Sequence, residues 1–518
     1  MRHLTRKLFK IKSLSSILAE THDPKTRLKR ALGAFDLILL GIGAIIGAGI
    51  FATIGTAAAG DALRPGAGPS LIASFAITAI ACALAALCYA ELAALVPISG
   101  SAYTYSYATF GELVAWIIGW DLMIEYGVGA IAVAISWSGY FVGFLKGFGI
   151  NLPAWSTLDF RSAIKGFEKA SAYLYNGVPF DKLDPGLQHT WQAVHEAPSI
   201  LGIPVICNIP ACLIVVFITA LLVRGIKESS RFNELIVAVK LIVLLFFVLV
   251  GAFYVKPQNW APFAPNGFAG IKAGAAIVFF AYIGFDAVST AAEETRNPKR
   301  DLPIGIIGSL IICTIIYMAV AAVFTGLIPF PALKASLAHE KAEPLTLAMQ
   351  YIKLNWAAGI IAFGSVAAHI AVLLVLLLGQ ARIFFSMSRD GLLPRVFSRV
   401  HPKFKTPHVT TIIVGIIIAF FAAFTNIEEM VDLTNIGTLF AFTLVCFGVI
   451  ILRVKEPARA RSFKVPFNPI TPLLGVAACI FLMTGLPGVT WWRFIMWLVL
   501  GLIVYFSYGI KNSELHKA

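Results

Sequence analysis

Long apolar runs alternate along this chain with short polar stretches. Twelve runs stand out, at roughly 33–60, 69–97, 110–145, 199–223, 232–255, 266–290, 303–328, 356–387, 407–425, 430–453, 469–487 and 491–510. About 20 apolar residues in an α-helix cross the hydrocarbon core of a bilayer, so each run predicts a span, and the longest predict tilt or extension beyond the core. The short alternating segments of a membrane β-barrel are absent from the sequence. The pattern therefore predicts an all-α polytopic membrane protein of about 12 transmembrane helices.

Two of these runs are interrupted by glycine. The first run contains Gly41-Ile-Gly-Ala-Ile-Ile-Gly-Ala-Gly-Ile-Phe51, and the sixth contains Phe279-Phe-Ala-Tyr-Ile-Gly-Phe-Asp286. Glycine has the most backbone freedom to lose in a helix, so it weakens the run at that point. An unwound turn inside a membrane leaves N–H and C=O groups in need of partners, and it is tolerated only where it is buried or lines a cavity. The runs divide as five, five and two, with a break opening each set of five. Because five is odd, the sixth run enters from the side opposite the first. Paired breaks in inverted repeats point to a transporter with its substrate site near the bilayer midplane.

Composition agrees. Of 518 residues, 58% are hydrophobic and 13% charged, against about 25% charged in soluble proteins. The net charge of +14 is explained by distribution, without nucleic acid. With the N-terminus inside, 26 of the 41 Lys and Arg fall in cytoplasmic segments, 10 in outside loops and five within spans. This asymmetry predicts a cell-membrane protein with both termini cytoplasmic. Residues 1–32 carry nine basic residues and no apolar core of a signal peptide, so they read as a cytoplasmic tail. All seven cysteines fall within the runs, which argues against a disulfide framework or a metal site. The expected organisation is a tail at 1–32, a first repeat at 33–255 with a long outside loop at 146–198, a second repeat at 256–453, two further helices at 454–510 and a tail at 511–518. Trp155, Tyr173, Tyr175, Pro179 and Trp191 in the long loop predict short interfacial helices.

Several longer motifs carry a resemblance. Residues 279–305, from Phe279-Phe-Ala-Tyr-Ile-Gly-Phe-Asp through Glu293-Glu-Thr-Arg-Asn-Pro-Lys-Arg-Asp-Leu-Pro-Ile-Gly305, resemble the sixth-span signature of the amino acid–polyamine–organocation superfamily, specifically its cationic amino acid transporter branch and bacterial relatives. Tyr89-Ala-Glu-Leu-Ala-Ala-Leu-Val-Pro-Ile-Ser-Gly-Ser-Ala-Tyr103, Ser386-Met-Ser-Arg-Asp-Gly-Leu-Leu-Pro394 and Val431-Asp-Leu-Thr-Asn-Ile-Gly-Thr-Leu439 resemble further signatures of that family. The resemblance covers roughly residues 30–510. It implies a leucine-transporter-type fold of two inverted five-helix repeats plus two helices, with broken helices 1 and 6.

The family's binding turns match positions here. The α-carboxylate of an amino acid substrate is expected at the N–H groups around Gly47, Ala48 and Gly49, beside Ile46. The α-ammonium is expected at the carbonyls of Ile45, Phe280, Ala281 and Ile283. Half-helix ends favour these charges, N–H groups for the anion and C=O groups for the cation. Phe280 stands where relatives carry an aromatic gate. Lys240 lies about eight residues, roughly 12 Å, inside the fifth run. A charge at that depth either faces the bundle interior or snorkels to the headgroups. The Ser230–Asn233 segment and its spacing to Lys240 resemble the family pattern in which this ammonium takes the place of a sodium ion against the first broken helix. Asp121 and Glu125 stand four apart on one helix face. Glu125 either lines the pocket, relays protons or is a structural carboxylate, and Asp286 either caps the following half-helix or titrates. Lys240, Glu125 and Asp286 are thus the proton-coupling candidates. His369 reads as an interhelical histidine, and Thr434 and Asn435 as polar contacts. Glu293, Glu294, Arg296, Lys299, Arg300 and Asp301 predict an ion-pair network.

These features predict a secondary active transporter, a proton-coupled symporter of L-amino acids. Ile45, Ile46, Phe280 and Ile283 favour small neutral substrates such as alanine. A transporter of arginine or lysine, or an exchanger, is the alternative. A channel would need a continuous polar stripe, and an enzyme would need a metal cluster or a nucleotide loop in a βαβ setting; the sequence has neither. No cofactor or metal is expected. The partners are the amino acid, protons and the bilayer, with oligomeric state and any small membrane partner left open.

Overall fold

The computed structural model describes residues 8–12, 31–96, 101–225, 230–336, 343–404 and 406–516. Most of the basic N-terminal tail, residues 97–100 of the Tyr89–Tyr103 motif and residues 517–518 of the C-terminal tail lie outside the described residues, as do the side chains of 230–234.

The helices follow the apolar pattern. They are α1 (Ala34–Ile45), α2 (Ile54–Ala59), α3 (Leu71–Leu95), α4 (Ser101–Thr109), α5 (Glu112–Met123), α6 (Gly129–Gly147), α7 (Phe160–Tyr175), α8 (Pro185–Glu196), α9 (Ile209–Arg224) and α10 (Ser230–Ala252). The second half holds α11 (Gly267–Val278), α12 (Pro298–Leu327), α13 (Phe330–Ser336), α14 (Pro344–Tyr351), α15 (Asn355–Arg389), α16 (His408–Phe424), α17 (Ile427–Lys455), α18 (Ile470–Met483), α19 (Gly488–Val504) and α20 (Ile510–Asn512). Among the described residues the one sheet is a two-residue hairpin, β1 (Ser199–Ile200) with β2 (Ile203–Pro204). Among the described residues, eight spans are long and apolar enough to cross a membrane, or nine with the bent pair that α1 and α2 form. The runs expected at 199–223, 407–425 and 469–487 become the shorter apolar helices α9, α16 and α18. Pro210 in the first turn of α9 restricts the residue before it, and the helix starts at Ile209, ten residues into the expected run. A consequence is that Cys207 precedes α9 and lies outside the helix, contrary to the expectation that every cysteine is within a span.

Polar caps start several helices. Asn208 Oδ1 accepts from the Ala211 N–H at 3.1 Å, and Asn426 Oδ1 from the Glu429 N–H at 2.9 Å. The short helices expected in the 146–198 loop are present as α7 and α8, capped by Asp159 and Asp184 and packed on each other.

One continuous apolar core runs through the bundle, with α12 against α1 and α3, and α15 against α6 and α10. Large apolar side chains such as Leu249, Ile315, Ile416 and Phe420 remain exposed on its outside. That surface suits hydrocarbon, which an exposed apolar face requires as its solvent. Both termini meet at one end. Lys12 pairs with Asp390 at 3.1 Å, and Lys10 Nζ donates to the Leu515 carbonyl at 2.5 Å. Leu32 pairs its backbone with Thr295, joining the chain before α1 to the end of the sixth span.

Candidate functional site

Both glycine breaks form. α1 ends at Ile45, Ile46 turns extended, and the chain restarts through a wide turn at Gly49–Thr53 into α2, bent by 40°. The first bond across the restart runs from the Phe51 N–H to the Gly47 carbonyl at 3.3 Å. Among the described residues, no backbone acceptor falls to the N–H groups of Gly47 and Ala48. These are the orphan donors that a helix start presents. In the sixth span, α11 gives way to a tight turn at Phe279–Tyr282, Ile283 is extended, and Gly284 takes φ +116°, a region that favours glycine. The chain then continues as a 3₁₀ stretch, Asp286–Glu294, rather than as an α-helix.

The two breaks touch. A Cβ on Gly49 would collide with the Ala281 backbone, and one on Gly284 would lie 2.8 Å from the Ala44 carbonyl. Between them is a cavity of about 30 Å³, room for about two water centres. Gly47, Ala48, Gly49, Ile45, Phe280 and Ile283 line it, together with Glu125, Asp286 and Thr434. Val133, Val372, Val375 and Leu376 make its remaining wall apolar. Ile46 and Ala281 are buried beside it and do not line it.

The carbonyls freed by the breaks have acquired specific donors. Lys240 is fully buried, and its Nζ donates to Gly43 O at 2.6 Å and Ile46 O at 3.0 Å. A snorkelling lysine would have kept its ammonium exposed. Tyr317 Oη donates to Ile45 O at 3.1 Å, so one carbonyl expected for substrate is already engaged. Tyr140 Oη donates to Phe51 O at 2.6 Å on the other side of the same break. In the sixth span Asn435 Nδ2 donates to Ala276 O at 2.8 Å and Ile277 O at 3.3 Å. The carbonyls of Phe280, Ala281 and Ile283 stand beyond this capped pair. Of these donors the sequence pointed to Lys240 against the first broken helix and to Asn435 as a polar contact; Tyr317 and Tyr140 gave no sign, because tyrosine is common in apolar helices.

Glu125 sits in a wide turn at Ile124–Val128 that joins α5 to α6. Such π-turns occur frequently at functional sites. Its carboxyl contacts that of Asp286 across the cavity and also approaches Thr438. Asp286 does not cap the stretch that follows it: its Oδ1 accepts backward from the Gly284 N–H at 3.2 Å, and Oδ2 has no hydrogen-bond partner. Asp121 is buried near Gly437, away from the cavity, and neither of its carboxylate oxygens has a partner. His369 is a satisfied interhelical histidine: its Nδ1–H donates to Ser365 O at 2.7 Å, leaving Nε2 to accept from Ser136 Oγ at 2.7 Å.

Two charged clusters flank the site. Toward the start of α17, Arg64 binds Asp432 at 2.7 Å and Asp61 at 2.6 Å. At the opposite end, where the termini meet, Glu91 binds Arg453 at 2.5 Å and Arg461 at 3.2 Å. Of the network expected within residues 293–301, the Glu293 side chain lies outside the described residues; among the described side chains no ion pair joins Glu294, Arg296, Lys299, Arg300 and Asp301, and Arg296, Lys299 and Arg300 are exposed. The sixth span ends in a 3₁₀ stretch and then turns, which separates charges that a continuous helix would have stacked.

Comparison with known proteins agrees with this geometry. The family pattern described as "Amino acid permease" matches residues 32–506. A branched-chain amino acid permease of Bacillus subtilis is 47% identical over 511 residues, covering 98% of this chain and 99% of that protein. A methylthioribose transporter of the same organism is 44% identical over 510 residues, covering 98% and 99%. A vacuolar cationic amino acid transporter of Arabidopsis thaliana is 35% identical over 456 residues, covering 87% of this chain and 68% of that protein. These relatives are named permeases and transporters, so the chemistry of the site is transport, not catalysis. The chain is a multi-pass membrane protein belonging to the amino acid permease family of the amino acid–polyamine–organocation superfamily.

Proposed function

We propose that this protein is a proton-coupled secondary active transporter of neutral L-amino acids with apolar side chains. It would be a twelve-span protein of the cell membrane with both termini cytoplasmic. The observation that carries the reading is the cavity between two broken helices whose spare backbone groups face it with opposite polarity. The orphan N–H groups at Gly47 and Ala48 suit a carboxylate, and the carbonyls of Phe280, Ala281 and Ile283 suit an ammonium. The wall of Val133, Val372, Val375 and Leu376 favours an apolar side chain. The small cavity must open for any amino acid and favours a small side chain such as that of alanine; the branched-chain permease among the relatives favours valine, leucine and isoleucine once the wall yields.

Coupling rests on Lys240, Glu125 and Asp286. A protonated Lys240 holds the Gly43 and Ile46 carbonyls as a bound sodium would; loss of its proton releases the first broken helix. The placement of Glu125 and Asp286 on one small buried cavity supports a proton as the driving ion, since two carboxyl groups side by side cannot both ionise easily and favour holding a proton. An equilibrium between two states of the break is biased by both proton and substrate, which is what coupling requires.

A thermal-shift and competition panel on purified protein tests specificity. Alanine, valine, leucine and isoleucine should stabilise it more than arginine or lysine. Alanine methyl ester, lacking the anion, should compete poorly. Preference for arginine would make Glu125 a counter-ion and overturn the neutral assignment. A second reading has a specific observation behind it: Glu125 and Asp286 are acceptors suited to sugar hydroxyls, and one relative is named for methylthioribose. Stronger stabilisation by methylthioribose than by any amino acid would favour it.

A further inference from the structure

We propose that the end of α12 nearest the chain termini binds the headgroup of an anionic phospholipid. A groove of about 600 Å³ opens there between the first turns of α12 and the loop at Ser462–Phe463. Lys299 and Arg300 line it, and Ile304 and Ile307, one and two turns further along α12, line it too. Lys299 and Arg300 are exposed. Among the described residues no carboxylate pairs with them, in contrast to Arg453 and Arg461, which bind Glu91. Asp301, the acid in this helix turn, is itself buried. Arg296 and Lys464 add two more exposed cations around the groove.

The apolar part distinguishes a lipid from a free anion. Beyond the groove, Ile304, Ile311 and Ile315 remain exposed, at 38%, 55% and 65%. Their spacing of seven and four places them on one helix face. The face runs about 16 Å from Ile304 to Ile315 at 1.5 Å per residue. It therefore continues from the basic residues into the hydrocarbon region, a track for an acyl chain below a phosphate. The α12 start adds to the attraction. Pro298 occupies its first position, and the helix dipole favours an anion there. α12 also packs on α1, with Gly305 against Leu37 and Gly41 against Ser309, so a lipid held here bears on the helix that breaks.

The test uses full-length protein in a neutral detergent, with the thermal unfolding midpoint read by intrinsic fluorescence. Dioleoylphosphatidylglycerol, dioleoylphosphatidylcholine and inorganic phosphate are added separately at equal concentration. Phosphatidylglycerol should raise the midpoint by several degrees relative to phosphatidylcholine, and phosphate alone should not. A Lys299→Gln, Arg300→Gln variant should keep its midpoint in phosphatidylcholine and lose at least half of the phosphatidylglycerol shift. An Arg399→Gln, Lys403→Gln variant, altered in another basic loop, should keep the full shift. The proposal is overturned by an equal shift in the first variant, by an equal shift with inorganic phosphate, or by no preference for phosphatidylglycerol in the unaltered protein.

Discussion

Replacing Lys240 with Met keeps most of the side-chain volume and removes only the ammonium. Two charge-assisted hydrogen bonds, to Gly43 O at 2.6 Å and Ile46 O at 3.0 Å, disappear together. Such bonds are worth about 1.5–3 kcal/mol each, so about 3–6 kcal/mol is lost. Against this, the fold no longer buries an ion, which costs several kcal/mol on its own. The two terms nearly cancel, and global stability should change by no more than about 2 kcal/mol. The local effect does not cancel. Tyr317 alone would then hold the α1 side of the first break, and the turn carrying Gly47 and Ala48 would spend less time in the binding form. A ten- to hundredfold fall in that population weakens apparent affinity by the same factor, roughly 1.4–2.8 kcal/mol. Isothermal titration with the preferred amino acid should show this weakening while the unfolding midpoint stays nearly constant. Unchanged affinity, with uptake keeping its pH dependence, would show that Lys240 merely fills space and would move the search for the proton carrier to Glu125 and Asp286.

Gly47→Leu should abolish binding without blocking membrane insertion, because a Cβ there would lie 2.7 Å from Val372 Cγ2 and the rest of the side chain would fill the cavity; titration and detergent gel filtration check the two halves. Arg64→Met should cost about 3–5 kcal/mol of stability by leaving Asp61 and Asp432 facing each other without a cation, whereas Asp432→Asn should cost less because Asp61 still holds Arg64. Equal falls in unfolding midpoint would contradict that ranking. His189 tests the α7–α8 lobe. Burial, aided by Lys146, pushes it down from 6.5 to about 4, so the folded lobe keeps it neutral. Its stabilising contribution should be complete above pH 6.5 and be lost as pH falls toward 4. Hydrogen exchange over residues 154–196, corrected for intrinsic pH dependence, should rise across that window and flatten in His189→Gln.

The membrane class, the two breaks and Lys240 were legible because each is a local exception in an apolar background. Glycine in a long run and a lysine deep in a span stand out without knowledge of their neighbours. The donors that complete the breaks were not legible in the same way. Tyr317 and Tyr140 look like ordinary membrane aromatics, and only packing shows that their hydroxyls reach Ile45 and Phe51. Arg64 meets Asp432 across 368 positions, a pairing that no spacing rule reaches. At residues 294–301 adjacent opposite charges suggested a network, and among the described side chains the turn after the 3₁₀ stretch keeps them apart. Helix length erred at α9, where a hairpin at Ser199–Pro204 takes up the first part of the apolar run and the helix starts only at Ile209.

The central claim is that a proton gradient drives an amino acid through the cavity between the broken helices. Its most direct test is uptake of labelled leucine or alanine, whichever binds more strongly, into liposomes containing the purified protein. Accumulation should follow an inward proton gradient, collapse with a protonophore and be indifferent to sodium. Accumulation driven by sodium, or exchange that proceeds equally without any gradient, would contradict the account.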